Sequence, residues 1–359
     1  MTKKERMKAM IEGESINYLP SQLDFVPHRL DMLLGEMNMD LEGFNDWACN
    51  HLFYIYPLTE SCYYSSGSKE DQKLIDLAVE KGLIEKHPDE RFIYDNFHVT
   101  WLKNTNGIRN VENPLKNKNL DAFPWPDPNV PCLFDHVLGD LNQYSSEYYV
   151  VGLHHLTLFE RSWLLFGYQN LMIALAMDVE FVEQLMDRIL EFQIGIAHRF
   201  VEMDVDAVRT GDDYGMQQAM QMNPKLWRRV FKPRLAKIWE VYHKAGITVM
   251  HHSCGNIEEI IPDFIEMGLD VLHPVQPLTM SIEKLAKKFG GKLVFFGGID
   301  TQKLLPFGKP PEILEAVERC VKTLGADRKY VIAPSQEIMN DVPTENIKAL
   351  VEGVKKYRR

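Results

Sequence analysis

The sequence has no uninterrupted apolar run approaching the eighteen or so residues that cross a bilayer. Its start, Met1-Thr2-Lys3-Lys4-Glu5-Arg6-Met7, leads into an amphipathic pattern rather than a secretory leader. A soluble, cytoplasmic protein without membrane contact is the expectation. Cysteine is scarce. Cys49, Cys62, Cys132, Cys254 and Cys320 are odd in number and far apart, which argues against a disulfide framework and for reduced thiols. Positive charge is nowhere concentrated: the formal net charge is −11 and no Lys/Arg block appears, so a nucleic-acid surface is not expected. No Gly-x-Gly-x-x-Gly follows a predicted strand, which removes the usual signal for a dinucleotide. Apolar residues are plentiful, at 45% of 359, enough for one large core.

The chain opens on a predicted helix, Lys3 to Gly13, followed by an apolar run through Leu23-Asp24-Phe25 that reads as a first strand. Asp24 inside that run is either a pocket carboxylate at a strand end or a cap for the next helix. Leu52 to Tyr56 reads as a second strand. Over residues 73–114 short β-prone runs (Leu83–Lys86, Arg91–Tyr94 and Val99–Leu102) are divided by Pro88-Asp89 and Asn104-Thr105-Asn106-Gly107, the pattern of an antiparallel insertion. Pro124, Pro126, Pro128 and Pro131 then mark a loop.

From Tyr148 onward the rhythm is regular. Strands at 148–152, 206–209, 247–250, 270–272, 293–296 and 330–333 alternate with helices at 159–175, 179–202, 224–244, 257–267, 281–289, 311–324 and 344–356. With the two early strands this predicts a (β/α)8 TIM barrel, one domain over residues 1–359, carrying an N-terminal helix and the β insertion. An open doubly wound sheet has the same local rhythm.

A barrel places its chemistry at the C-terminal strand ends. Those ends carry Asp24, His154-His155, Gly211-Asp212-Asp213-Tyr214-Gly215, His251-His252-Ser253-Cys254, His273-Pro274-Val275-Gln276, Gly297-Gly298-Ile299-Asp300 and Pro334-Ser335-Gln336-Glu337. His252 and Cys254 are two residues apart on extended backbone, so both side chains can face one side. Imidazole and thiolate suit zinc, and a catalytic zinc needs three protein ligands. The same pair also reads as a buried cysteine beside a hydrogen-bonded histidine at a strand end. Asn256 is expected to cap the next helix, with Glu258 and Glu259 in its first turn. Tyr54, Tyr56, Trp163, Tyr214 and Phe296 can line an aromatic or cofactor pocket, although aromatics beside strands are more often core.

Taken together, Asn113-Pro114-Leu115 through Pro128, Phe159-Glu160-Arg161, Gly211 to Gly215, Trp227 through Arg234, His252 to Gly255, Pro274 to Pro277, Gly297 to Gln302 and Val342-Pro343-x-Glu345-Asn346 resemble the uroporphyrinogen decarboxylase superfamily, which includes cobalamin-dependent methyltransferases. The resemblance implies a barrel. It also implies, in the methyltransferase branch, zinc held by a His-x-Cys and a later Cys. His252 and Cys254 match the first part; the last strand-end loop has no Cys, and Gln336 takes the third place, with Glu337 next. The decarboxylase branch carries an Arg-rich N-terminal motif, whereas Leu19 to Phe25 contains no arginine. The resemblance therefore favours a metal-assisted methyltransferase moving a methyl group between a small, methoxylated or similar, substrate and a corrinoid. In this reading Asp212 and Asp213 orient the donor or handle a proton, and Tyr214, Gln276 and Asp300 contact the cofactor. No Asp-x-His-x-x-Gly cobalt-ligating motif is present, so the corrinoid is expected on a separate partner protein. A lyase built on Asp24, Asp212 and His273, acting on a small carboxylated substrate, and a non-catalytic ligand-binding barrel are the alternatives. Composition does not set the oligomeric state, and a homodimer is compatible with it.

Overall fold

The computed structural model describes residues 1–60, 69–104, 107–115 and 117–358. Cys62, and Thr105-Asn106 of the predicted turn, lie outside the described residues. The strands are β1 (Leu52–Ile55), β2 (Phe92–Tyr94), β3 (Thr100–Asn104), β4 (Gly107–Glu112), β5 (Tyr149–His154), β6 (Ala207–Gly211), β7 (Thr248–His252), β8 (Val271–Val275), β9 (Val294–Ile299) and β10 (Tyr330–Pro334). Seven of them form one parallel sheet in the order β1-β5-β6-β7-β8-β9-β10, while β2-β3-β4 form a separate antiparallel sheet.

The predicted first strand is a bridging segment rather than a regular ladder. Ser21 makes single parallel bridges to Asn50 and to Ile332, and Phe25 bridges Ile338. His51 N donates to Ser21 O (3.1 Å) and Gln22 N to Ile332 O (3.0 Å), so this segment touches both edges of the seven-stranded sheet. Its pairing is interrupted because Pro20 has no N–H and Leu23 N turns to the Asn50 side chain (2.8 Å).

The six strands from β5 to β10 fall where the alternation predicts them, but most reach further toward their C-terminal ends. β7 runs to His252, β8 to Val275 and β9 to Ile299. Within the insertion, Leu83–Lys86 is not a strand but a turn following the helix Lys69–Glu80, and β4 pairs with β3 where a loop was expected.

The helices Val179–Glu202 and Thr344–Lys356 form as read, and Lys3–Glu12 starts on a Thr2/Glu5 capping box. Two others are broken. The stretch from Phe159 divides into Phe159–Phe166 and Tyr168–Met177 at Gly167, whose φ of 92° a helix cannot hold. The stretch from Pro224 divides at Phe231, just ahead of Pro233, which supplies no N–H to the preceding turn. After β7 the regular helix covers only Ile261–Glu266. Asn256 accepts from Glu258 N (3.2 Å) in a turn ahead of it and does not cap it. Among the described residues, no helix is long and apolar enough to cross a membrane.

The helices cover the outer face of the sheet. Trp227, Trp239, Tyr242 and Phe264 are fully buried between helix and strand. Residues alternate along each strand. On β7, His251 faces outward into Trp239 and Phe264, while His252 faces inward.

Candidate metal centre and active site

At the C-terminal ends of the parallel strands lies a cavity of about 220 Å³, lined by residues from nearly every strand end, among them Asp24, His155, Glu160, Arg209, Asp213, His252, His273, Phe296, Gln336 and Glu337. Two loops build one wall of it. Gly215 in the loop after β6 and Gly255 in the loop after β7 meet backbone to backbone. A Cβ on Gly255 would lie 2.3 Å from the Gly215 carbonyl carbon, and one on Gly215 would lie 2.6 Å from Asn256 N. Gly255 also has φ 84°. Gly215 N donates to Cys254 O (3.2 Å) and Asn256 N to Met216 O (2.7 Å), closing the contact. Gln276, after β8, accepts from Gly255 N (2.7 Å) and fixes the same turn.

This contact brings Asp213 to the His252-x-Cys254 pair. Cys254 Sγ lies 3.4 Å from His252 Nε2, and Asp213 Oδ1 lies 3.4 Å from the same nitrogen. The three donor atoms are all within 4.8 Å of one another. Zinc bonds of about 2.3 Å to sulfur and about 2.0 Å to nitrogen and oxygen, at tetrahedral angles, put neighbouring donors roughly 3.3–3.6 Å apart. The two printed separations fit that spacing, and the donor set of imidazole, thiolate and carboxylate suits zinc. His252 Nδ1 is 2.9 Å from His273 Nδ1. In the tautomer where His252 Nδ1 donates to His273, Nε2 presents its lone pair to the triad, the orientation a metal-ligating histidine needs.

Gln336 Nε2 lies 3.5 Å from Cys254 Sγ, and Gln336 Oε1 accepts from Glu337 N (3.2 Å). Its amide N–H therefore faces the sulfur and its oxygen faces backbone, so Asp213 is nearer than Gln336 to presenting an oxygen ligand. Burial tends to raise Asp213, but its contacts with His252 and with Cys254 N (2.8 Å) outweigh this and hold it below the usual carboxylate range. Burial pushes the Cys254 thiol up in the absence of a cation, with Asp213 adding to the rise. A divalent ion held by the triad would supply the compensating charge that this thiol lacks.

The opposite wall is organised by Arg209, an inward residue of β6 that is 7% exposed. Its guanidinium lies 3.5 Å from Asp24 Oδ2, donates to Tyr54 O–H (3.2 Å) and reaches His155 Nε2 (3.3 Å). Asp24 also accepts from Tyr54 O–H (2.9 Å) and Gln22 Nε2 (2.9 Å). It is thus the pocket carboxylate of the two readings; the following helix, Pro27–Met37, starts at Val26 with no side-chain cap. Burial, then the nearby Arg209 charge, drives His155 and His273 well below the usual imidazole range. Burial, with Asp24 nearby, raises Glu337 to about 7; Glu160 is raised by burial and by Asp213 and Asp212.

Over residues 164–357, more than half of its length, the chain matches the family model described as uroporphyrinogen decarboxylase (URO-D). The chain belongs to the URO-D family. Comparison with curated proteins returns no match. Among solved structures, this URO-D chain is similar to a methyltransferase from Methanosarcina mazei, with a TM-score of 0.70 and 19% identity over 100% of both chains. That likeness establishes a shared fold. A B12-independent methionine synthase from Shewanella sp. W3-18-1 is more distant, with a TM-score of 0.43 and 13% identity over 62% of this chain and 65% of that one.

The structure separates several residues that the URO-D motifs had grouped. Asp213, His252, His273, Asp24 and Gln336 line the cavity, and Cys254 joins them through the triad. Asp212 points the other way. It is fully buried and accepts from Leu158 N (2.8 Å), Glu160 N (2.8 Å) and Tyr214 O–H (3.0 Å), anchoring the start of the helix Phe159–Phe166. Burial raises it to about 7 against these donors. Tyr214 is also fully buried, packed among Phe159, Trp227, Phe231 and His251, and is core rather than cofactor contact. Asp300 accepts from Gln302 N, Lys303 N and Leu304 N, capping the turn after β9 outside the cavity lining. Gln276 acts on the Cys254 loop through backbone and likewise lies outside the lining. His154 faces outward to Tyr242 and Gln193. Arg209 is a functional residue that the strand-end motifs do not point to. The available signal was an arginine at an inward, alternate position of a strand otherwise made of small and apolar residues.

Proposed function

We propose that this chain is a metal-assisted methyltransferase that moves a methyl group between a small substrate and a corrinoid carried by a partner protein. The observation that carries this reading is the triad of Asp213, His252 and Cys254, spaced for one zinc ion and opening onto a cavity. A zinc ion held there supplies Lewis acidity to the heteroatom that bears the methyl group. His273 orients His252, the Gln336 amide steadies the thiolate, and the Gly215–Gly255 contact keeps Asp213 in reach. Arg209 holds Asp24 and Tyr54 across the cavity, where they position the remainder of the substrate. In this reading the Ser21 segment completes an eight-membered (β/α) barrel, with the site at its usual end.

The absence of arginine from Leu19 to Phe25 supports the methyltransferase branch over porphyrinogen decarboxylation. A 150 Å³ cavity takes up benzene, so the about 220 Å³ here holds a group somewhat larger than one ring. The lyase trio does not meet: Asp24 and His273 line the cavity, and Asp212 is committed to a helix start. Partner docking is supported by exposed apolar residues in segments that follow strands at the cavity end. Met216 is 59% exposed, Leu278 43%, Phe307 78% and Met339 39%.

The test is to mix zinc-loaded protein with reduced cobalamin and a panel of small methyl ethers, following methylcobalamin by absorbance. Zinc-dependent methylcobalamin formation with at least one ether, lost in Cys254→Ala, is the expected result. Carbon dioxide release from a carboxylated substrate by metal-free protein would replace this reading with the lyase.

A further inference from the structure

The wall facing the triad presents two opposite charges side by side. Asp24 Oδ2 and Arg209 Nη1 are 3.5 Å apart, both side chains are largely buried, and both residues line the cavity. That gap is longer than a direct hydrogen bond of ordinary geometry. One hydroxyl already spans it. Tyr54 O–H donates to Asp24 Oδ2 (2.9 Å) and accepts from Arg209 Nη1 (3.2 Å), and Tyr54 itself lies outside the cavity lining. Gln22 holds the carboxylate from a second direction. Its Oε1 accepts from His51 N (3.2 Å) and Leu52 N (3.0 Å) at the start of β1, and its Nε2 donates to Asp24 Oδ1 (2.9 Å). Each carboxylate oxygen offers two lone-pair sites, so Asp24 keeps acceptor capacity toward the cavity. A substrate group that reaches this wall displaces the water in front of both charges. A carboxylate there meets Asp24 as well as Arg209, and an ammonium meets Arg209 as well as Asp24. An alkyl end leaves both charges without solvent. A neutral hydroxyl suits the pair, its hydrogen toward Asp24 and its lone pairs toward Arg209, as Tyr54 shows from the strand side. Glu337 lies near the same two charges, and a hydroxyl pairs with a carboxyl group in either protonation state because it can donate or accept.

We infer that the substrate is a small methyl ether with a neutral hydroxyl at its far end, the ether oxygen toward the Asp213–His252–Cys254 triad and the hydroxyl donating to Asp24 beside Arg209. The ether rests on the methyltransferase reading. The hydroxyl rests on the geometry of Asp24, Arg209 and Tyr54 alone. It is a recognition element and takes no part in the transfer.

Four probes share the methoxy end and are nearly equal in size: 2-methoxyethanol, methyl propyl ether, 2-methoxyethylamine and methoxyacetate. Ligand-observed NMR titration is expected to show 2-methoxyethanol binding at least about tenfold more tightly than methyl propyl ether, as a hydrogen bond to a charged group implies. The amine and the carboxylate are expected to bind more weakly than the alcohol. The preference should appear in zinc-loaded and metal-free protein alike, because Asp24 and Arg209 stand on the wall opposite the triad. Asp24→Asn keeps side-chain shape, turns an acceptor oxygen into a donor and should remove most of the alcohol's advantage. The comparison of probes on the unaltered protein stands without that variant. Equal binding of alcohol and alkyl ether, or tighter binding of either charged probe, overturns the inference. So does an advantage that survives Asp24→Asn, or one seen only with zinc, which would put the hydroxyl at the metal. These outcomes are independent of turnover. Alcohol preference without methylcobalamin formation sinks only the methyltransferase reading, and turnover without alcohol preference sinks only this inference.

Discussion

Cys254→Ala is expected to lower zinc affinity by more than about a hundredfold, since thiolate supplies most of the charge donated to the metal and even outer-shell changes cost 10–100-fold. The geometry ranks the other variants around it. Asp213→Ala removes the oxygen donor nearest to His252 Nε2 and should come next. Gln336→Ala should weaken binding only modestly, because its amide N–H faces Cys254 Sγ at 3.5 Å and a water can take its place. Gln336→Cys puts a second thiolate beside Cys254 and should bind zinc more tightly than the unaltered chain. Competition titrations with a chromophoric chelator give the order directly. A Cys254→Ala protein that retains zinc, or an Asp213→Ala protein indistinguishable from the parent, contradicts the ligand set.

The largest stability effect is expected away from the metal. Arg161 and Asp95 form an ion pair of 2.8 Å with side chains 3% and 0% exposed, joining the helix Phe159–Phe166 to the antiparallel insertion. Asp95 also accepts from Phe97 N and Val99 N, both at 2.9 Å, and Arg161 stacks over Phe97 at 4.1 Å. Arg161→Leu leaves a buried carboxylate without its cation, a change that costs about 3–5 kcal/mol. The double variant Arg161→Leu/Asp95→Asn removes the stranded charge and should recover a substantial part of the loss. Urea unfolding of the parent and the two variants measures both. A cost below about 1 kcal/mol for the single variant, or no recovery in the double, contradicts this account.

Much of the site was legible in the sequence because parallel strands deliver their ends to one rim. His252 and Cys254 could be paired from spacing alone. What spacing could not give was direction. Asp212 and Asp213 are neighbours on a strand end, so they diverge: one seals a helix start, and the other reaches Cys254. His251 and His252 part in the same way. Tyr214 looked like a pocket aromatic because its motif is polar, yet it follows Asp212 into the core. Arg209 went unassigned because an inward side chain on a short strand carries no local signature, and its partners Asp24 and Tyr54 lie far away in sequence. Hydropathy predicts a full strand around Ser21 because it does not register Pro20 or the Asn50 side chain that interrupts its pairing. The sequence points to Asp213 only as an acid–base residue, because the Gly215–Gly255 contact that brings it to Cys254 forms between two loops.

The most direct test of the metal centre is zinc K-edge X-ray absorption on protein loaded with one equivalent of zinc. The account predicts a four-coordinate ion with one sulfur at about 2.3 Å and the remaining nitrogen and oxygen donors at about 2.0–2.2 Å, and loss of the sulfur shell in Cys254→Ala. A spectrum with no sulfur shell, or protein that retains no zinc after desalting, would contradict the assignment of Asp213, His252 and Cys254 as a metal site.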